Sequence, residues 1–203
     1  ATYVEVPALQ NRMCGLSRPT HFRGVCTVVL KLFHIVRPDR AYFGQKDAQQ
    51  AVVIRRMARD LDCDVRIEVR PIVREADGLA LSSRNVYLSP PERRAALVLT
   101  RSLKEAKMEI EQGERRAAAI LRLIRRRIAA EPLARLDYAV IVDPESLDPV
   151  GFVRGRVLIA LAVFIGRTRL IDNMTVRPRK KGSKRQAKEE FRHEQNRPRL
   201  QDP

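Results

Sequence analysis

The sequence predicts an α/β fold in unequal parts: helices packed on a parallel sheet, then a small α+β unit, then a basic tail. Three observations predict it. Short β-rich runs at residues 40–43 and 65–73 enclose a helical pattern at 46–61. Strands alternating with helices of that length imply a parallel sheet. From residue 89, two long helical patterns precede three strand patterns. After residue 176 apolar residues nearly vanish, and Lys, Arg, Gln and Pro dominate. The implied units are residues 1–86, 87–176 and 177–203.

Composition narrows the function classes. The 203 residues are enough for one domain or two small ones with a real core. No apolar run approaches the ~18–20 residues that cross a membrane. The opening residues alternate like a strand already in progress rather than a secretory signal, which implies a cytoplasmic protein. Cys14, Cys26 and Cys63 are three and widely spaced, which argues against a disulfide framework and a zinc site; His21, His34 and His193 are too scattered for a metal cluster. The net charge of +16 fits anionic substrates and also suits nucleic acid. Aromatic residues make up 5% of the chain and none is Trp, leaving few stacking platforms for nucleic-acid bases.

The elements follow in order. Residues 3–6 read as a short strand ended by Pro7, and residues 8–20 as irregular chain punctuated by Gly15 and Pro19. Arg18 and His21 flank that turn, as anchors of the loop or as contacts for a carboxylate or phosphate. Residues 22–36 form a helix whose apolar face is Val25, Val28, Val29, Leu32, Phe33 and Val36, with His34 on the surface. Pro38 stops it. Residues 46–61 form the next helix, with Ala51, Ile54, Ala58 and Leu61 inward. Ser89, Pro90 and Glu92 mark a helix start with a capping box, and Gly113 ends that helix. A second helix spans 114–130, its Arg125-Arg126-Arg127 reading as a solvated face. Strands follow at 136–142, 156–164 and 168–171.

Two stretches carry chemistry. Ala41 to Gln50 is a strand end, a glycine turn at Gly44 and a helix start, a place where backbone approaches a ligand closely and anions are favoured. Lys46 there supplies a mobile cation. Asp47 accepts from ribose hydroxyls or caps the helix, and the Gln50 amide reaches a second substrate. Asp77 to Leu88 begins with an Asp77-Gly78 turn and packs Ser82, Ser83 and Arg84 together. Two hydroxyls and a guanidinium suit phosphate oxygens, or the serines cap the next helix. Each stretch follows the C-terminal end of a parallel strand, where such sheets bind ligands, so both land on one edge.

Phe43-Gly44-Gln45-Lys46-Asp47 with Gln49-Gln50, followed by Asp77-Gly78-Leu79-Ala80-Leu81-Ser82-Ser83-Arg84-Asn85, resembles the pantothenate synthetase (pantoate–β-alanine ligase) family. Ser17 to Val25 and Thr168 to Asn173 resemble it too. The family's Pro-Thr-Met-Gly segment and His-x-Gly-His motif do not occur in this sequence. The resemblance therefore implies the later two-thirds of such an enzyme: the C-terminal part of a Rossmann-like nucleotidyl-transferase sheet, a lid-like α+β unit, and an added disordered basic tail. It implies condensation of pantoate with β-alanine through a pantoyl adenylate, with ATP as substrate, magnesium accompanying it, and a homodimer. Carried over by motif position, Gly44, Gln45, Lys46, Asp47, Val73, Leu81, Ser82, Ser83 and Arg84 hold ATP, and Gln50 holds pantoate. Gln45 stands where the family usually has Glu. With the histidine motif absent, the residues here support catalysis (Lys46, Ser82, Ser83 and Arg84), and the chain alone is expected to make little pantothenate. The competing expectation is a basic nucleic-acid-binding protein, or a non-catalytic paralogue, working through the tail.

Overall fold

The computed structural model describes residues 1–178. The start of the chain departs from expectation. Residues 3–6 form no strand, and Pro7 opens a short helix, α1 (Pro7–Gln10), instead of ending a strand. Proline has no N–H to lose and a preset φ, so the first helical position suits it. A second short helix, α2 (Cys14–Ser17), occupies the stretch expected to be irregular.

Helix α3 (His21–Val36) ends at Arg37, whose left-handed φ of 48° lets its N–H reach the Phe33 carbonyl. Its inward face is only partly the expected one: Phe33 is buried and Val25 and Val29 pack against the core as expected. Phe22, Cys26 and Phe33 are buried, while Val28, Leu32, Ile35 and Val36 are exposed, from 50% at Leu32 to 73% at Ile35. Apolar residues occur on two sides of this helix, and the described residues cover one of them. Strand β1 (Arg40–Gly44), a 3-10 turn at Gln45–Asp47, helix α4 (Ala48–Asp60) and strand β2 (Arg66–Arg70) follow. The strands pair in parallel, from Arg40 opposite Arg66 to Gly44 opposite Arg70, as the alternation of elements predicts. Leu61, expected inward, lies beyond the end of α4 and is half-exposed. Strand β2 stops before Ile72 and Val73.

The Asp77-Gly78 turn forms as predicted: Gly78 has φ 93°, and Asp77 Oδ1 accepts from the Leu79 N–H at 3.0 Å. A second 3-10 turn, Ser83–Tyr87, leads into helix α5 (Pro90–Gln112). Both halves of the capping box are present, with Glu92 Oε2 accepting from the Ser89 N–H at 2.9 Å, and Gly113 closes the helix at φ 118°. Helix α6 (Ala117–Ala129) and strands β3 (Ala134–Val142), β4 (Val157–Ile165) and β5 (Thr168–Val176) complete the fold. These three strands form an antiparallel sheet in the order β3-β4-β5. Strand β5 runs well past Ile171, where the sequence suggested it ends, because Asp172 and Asn173 are both buried and paired.

Strand β4 is apolar throughout and organises the packing. Val157, Ile159, Leu161, Val163 and Ile165 join Leu99, Leu103, Ile120 and Ile124 in one core between the sheet and helices α5 and α6. Leu158 and Ala160, on the opposite face, join Phe22, Ile54 and Met57 in a second core under α3 and α4. Each of its faces is therefore claimed by a different helical layer. No helix among the described residues is long and apolar enough to cross a membrane. The disordered basic tail expected from residue 177 lies, beyond Pro178, outside the described residues.

Candidate active site

The N-terminal and C-terminal layers meet around a cavity of about 250 Å³. Four of the residues singled out by the sequence line it: Lys46, Asp47, Gln50 and Arg84. Their two loops are far apart in the chain and arrive on one edge of the parallel sheet, as the placement after strands β1 and β2 requires. Arg18 and His21, which the sequence left open between anchor and contact, line it as well, and so does Arg169 from β5. Asp47 stands at the N-terminus of α4 without a side-chain capping bond, so the capping alternative for it does not hold. Its carboxylate is exposed beside Lys46.

The remaining predicted residues lie outside this cavity wall. Val73 and Leu81 are surface neighbours, 65% and 53% exposed, joined by the Leu81 N–H donating to the Val73 carbonyl at 2.9 Å. Ser82 caps the 3-10 turn: its hydroxyl oxygen accepts from the Arg84 N–H at 3.2 Å. For Ser82 the capping reading is thus the observed one, while Ser83 is exposed. Gly44 has an ordinary φ of −81° with open space above it. Gln45 turns away from the cavity and donates its side-chain amide to Asn173 Oδ1 at 3.1 Å. A carboxylate there would set oxygen against oxygen; the Gln in place of the family's Glu suits this partner.

Charge at the site follows from burial. Partial burial of the Lys46 ammonium lowers its pKa, Arg84 adds to the lowering, and Asp47 opposes it. His21 is also held below the ordinary histidine range, first by burial and then by Arg18 and Arg84 against Asp47. At neutral pH the imidazole is therefore the uncharged member of a cationic wall. Deeper in, Cys14 Sγ lies 3.2 Å from the Tyr138 hydroxyl. Burial pushes the Tyr138 hydroxyl pKa up, which keeps it protonated. Arg169 is held against Asp137 by its Nε at 3.0 Å and Nη2 at 2.7 Å.

Two adjacent residues of β5, themselves on the cavity wall, fix both cation-bearing turns. Asn173 donates its side-chain amide to the carbonyls of Gln45 and Lys46, each at 2.9 Å. Asp172, 2% exposed, receives both ends of the Arg74 guanidinium at 2.8 and 2.9 Å. Arg74 and Thr100 both donate to the Gly78 carbonyl, so the same network anchors the turn preceding Ser82. Sequence reasoning assigned no role to Asp172, Asn173 or Arg169 beyond their place in a resembling segment. Partners so distant in the chain leave no local periodicity to read.

Set beside known proteins, this geometry has specific relatives. A family model described as Pantoate-beta-alanine ligase matches residues 1–175. The chain belongs to this family. Among pantoate–β-alanine ligases, it is 59% identical over 172 residues to the pantothenate synthetase of Pelotomaculum thermopropionicum, covering 85% of this chain and 61% of the relative. It is 62% identical over 175 residues to that of Heliobacterium modesticaldum, covering 86% and 62%. The crystal structure of the Thermus thermophilus enzyme matches with a TM-score of 0.84 at 47% identity, over 88% of this chain and 64% of that one. The Francisella tularensis ligase, crystallised with beta-gamma ATP and beta-alanine, matches with a TM-score of 0.63 at 31% identity, over 86% of this chain and 58% of that one. The chain thus spans about six-tenths of the length of the curated relatives it matches. The likeness includes both the parallel pair and the antiparallel three-stranded sheet.

Proposed function

We propose that this chain supplies the nucleotide- and pantoate-binding share of an ATP-dependent ligase that condenses pantoate with β-alanine. One observation carries the reading: Lys46, Asp47, Gln50 and Arg84, from two separate family motifs, share one cavity wall. In the first half-reaction a pantoate carboxylate oxygen attacks the α-phosphorus of ATP. The bond to the bridging oxygen breaks, and pyrophosphate leaves with the electron pair. In the second, the β-alanine amine attacks the acyl carbonyl, loses a proton, and AMP departs. Lys46 and Arg84 set cations against the phosphates, where negative charge accumulates on the leaving group. Asp47 and the Gly44 backbone face the ribose. Gln45 acts through its backbone, Ser83 adds a hydroxyl, and Val73, Leu81 and Ser82 shape the second nucleotide segment. Gln50 orients pantoate through its amide. Catalysis here is positioning and charge stabilisation, with no covalent enzyme intermediate.

Among the described residues, no three His, Cys, Asp or Glu side chains group as metal ligands. Magnesium is assigned to the ATP phosphates, with Asp47 the nearby carboxylate able to contact its hydration shell. We assign residues 1–86 to the nucleotide and pantoate layer and residues 87–176 to a lid-like unit that covers it through Arg169, Asp172 and Asn173. The apolar stripe on α3 supports a homodimer, and the unpaired cysteines support a cytoplasmic setting.

Calorimetric titration of the 203-residue chain with ATP and with pantoate tests this reading. Lys46→Ala is expected to weaken ATP by about tenfold, the scale of one charge-assisted bond. Gln50→Ala is expected to weaken pantoate while ATP binds as before. A folded wild-type chain that binds no ATP overturns the assignment.

A further inference from the structure

A second, open cavity of about 680 Å³ lies on the far side of Arg84 and Arg169, which belong to both walls. Tyr87, Glu92, Gly166, Arg167 and Thr168 complete it. The 3-10 turn carrying Arg84 and Tyr87 runs directly into the capping box of α5. The tip of the β4–β5 hairpin sits on that same box: a Cβ added to Gly166 would stand 2.1 Å from Glu92 Oε1. Gly166 also has φ 54°, a backbone conformation that disfavours side chains. This seating places Arg167 on the same wall as Arg84.

The charges in this cavity do not cancel. Among the described residues, the guanidinium groups of Arg84 and Arg167 make no hydrogen bond or ion pair, and both residues are exposed. Arg169 is already offset by Asp137. Glu92, the one carboxylate on the wall, accepts from both the hydroxyl and the N–H of Ser89. Glu92 stays ionised, so the two unpaired planar forks leave the open space net positive, which suits a small anion with several acceptor oxygens rather than an apolar ligand.

We propose that this second cavity is a binding site for inorganic pyrophosphate, and that Arg84 passes the leaving group from the nucleotide cavity to Arg167. The inference rests on the function proposed above, in which breaking the bond between the α-phosphorus and the bridging oxygen releases pyrophosphate next to Arg84. Arg167 holds that product outside the cavity in which the adenylate stays for the incoming amine.

The test titrates the 203-residue chain separately with inorganic pyrophosphate and with AMP, using the wild type, Arg167→Glu, and Arg125→Glu as an equal charge change on the exposed face of helix α6. Pyrophosphate affinity is expected to fall about tenfold or more in Arg167→Glu and less than about twofold in Arg125→Glu, with AMP unchanged in both. Equal losses in the two variants reduce the effect to net charge and overturn the site. AMP binding without pyrophosphate binding overturns the site and leaves the nucleotide assignment standing. Pyrophosphate binding that depends on Arg167 in a chain that does not bind AMP supports the site and removes the nucleotide assignment. Binding of neither removes both.

Discussion

The turn at Gln45–Asp47 and the turn at Ser83–Tyr87 each deliver a cation to the same cavity, yet they are secured differently. The first is held by its own backbone: Asn173 grips the Gln45 and Lys46 carbonyls, and the side chains of Lys46 and Asp47 are left for the cavity. The second is held from beneath. Asn85 donates to Glu75 and to the Ala80 carbonyl, Arg93 pairs with Glu75 and Asp77, and Arg74 ties the preceding turn to Asp172. The Ser82 hydroxyl closes the turn locally. A neutral amide fixes the first backbone, a neutral amide with paired charges fixes the second, and among the described residues the cation's end stays unbonded in both. A phosphate site needs that division, because a cation already paired in the free protein must break its bond before it meets the ligand.

Substitutions can break this comparison at graded depths. Asp172→Ala should do most harm. It strands the half-buried Arg74 guanidinium and removes an acceptor of the Thr100 hydroxyl, costing about 3 kcal/mol in urea unfolding. It should weaken nucleotide binding mainly through the second turn. Asn173→Ala should cost about 2 kcal/mol by leaving two turn carbonyls and the Gln45 amide unmatched. Its signature is that ATP affinity falls with Lys46 still present, and that adding Lys46→Ala then costs less than in the wild type. Additive losses would mean that Asn173 does not position Lys46. Ser82→Ala should cost about 1 kcal/mol as a lost cap, whereas Ser83→Ala should leave the unfolding midpoint unmoved and act on ATP alone.

The smallest effect concerns pH. His21 has its pKa lowered in the folded state by burial, Arg18 and Arg84. The unfolded chain therefore binds the proton more readily. The stability tied to the neutral imidazole is fully present above the unfolded value of about 6.5 and is lost as pH falls through the folded value. His21→Gln should flatten the stability profile below pH about 6.5, measured as the difference between variant and wild-type unfolding across acid titration. An unchanged slope would remove His21 from the electrostatics of the wall.

Part of this site, Lys46, Asp47, Gln50 and Arg84, was legible because its signals are local. A strand end running into a helix start, with Lys46 and Asp47 between them, and a Ser-Ser-Arg turn each announce themselves within a few residues, and their positions after parallel strands place them on one edge; Gly44 itself is the last residue of β1 with an ordinary φ, so the glycine turn read there does not form. The capping box at Ser89 and the stop at Gly113 fixed α5 in the same way. The unread features depend on distance or on partners. Alternation at residues 3–6 resembles a strand, but a strand also needs a neighbour, and Pro7 favours the helix that forms instead. The spacing in α3 identifies apolar positions without saying which of them meets the protein. Asp172 and Asn173 look like the polar end of a strand until Arg74, Thr100 and the Gln45–Lys46 backbone are brought to them.

Strand β4 has one more consequence. Val157-Leu158-Ile159-Ala160-Leu161-Ala162-Val163-Phe164-Ile165 contains no charge, no proline and no glycine, the composition of segments that stack into cross-β fibrils. In the folded chain β3 and β5 close both of its edges, and the two helical layers close both of its faces. One of those layers, the one built on α3 and α4, lies far upstream in the chain. Until that layer is in place, half of the strand's surface has nothing to cover it. A destabilised α3–α4 layer should therefore show itself first as aggregation during refolding, before any loss of ligand affinity.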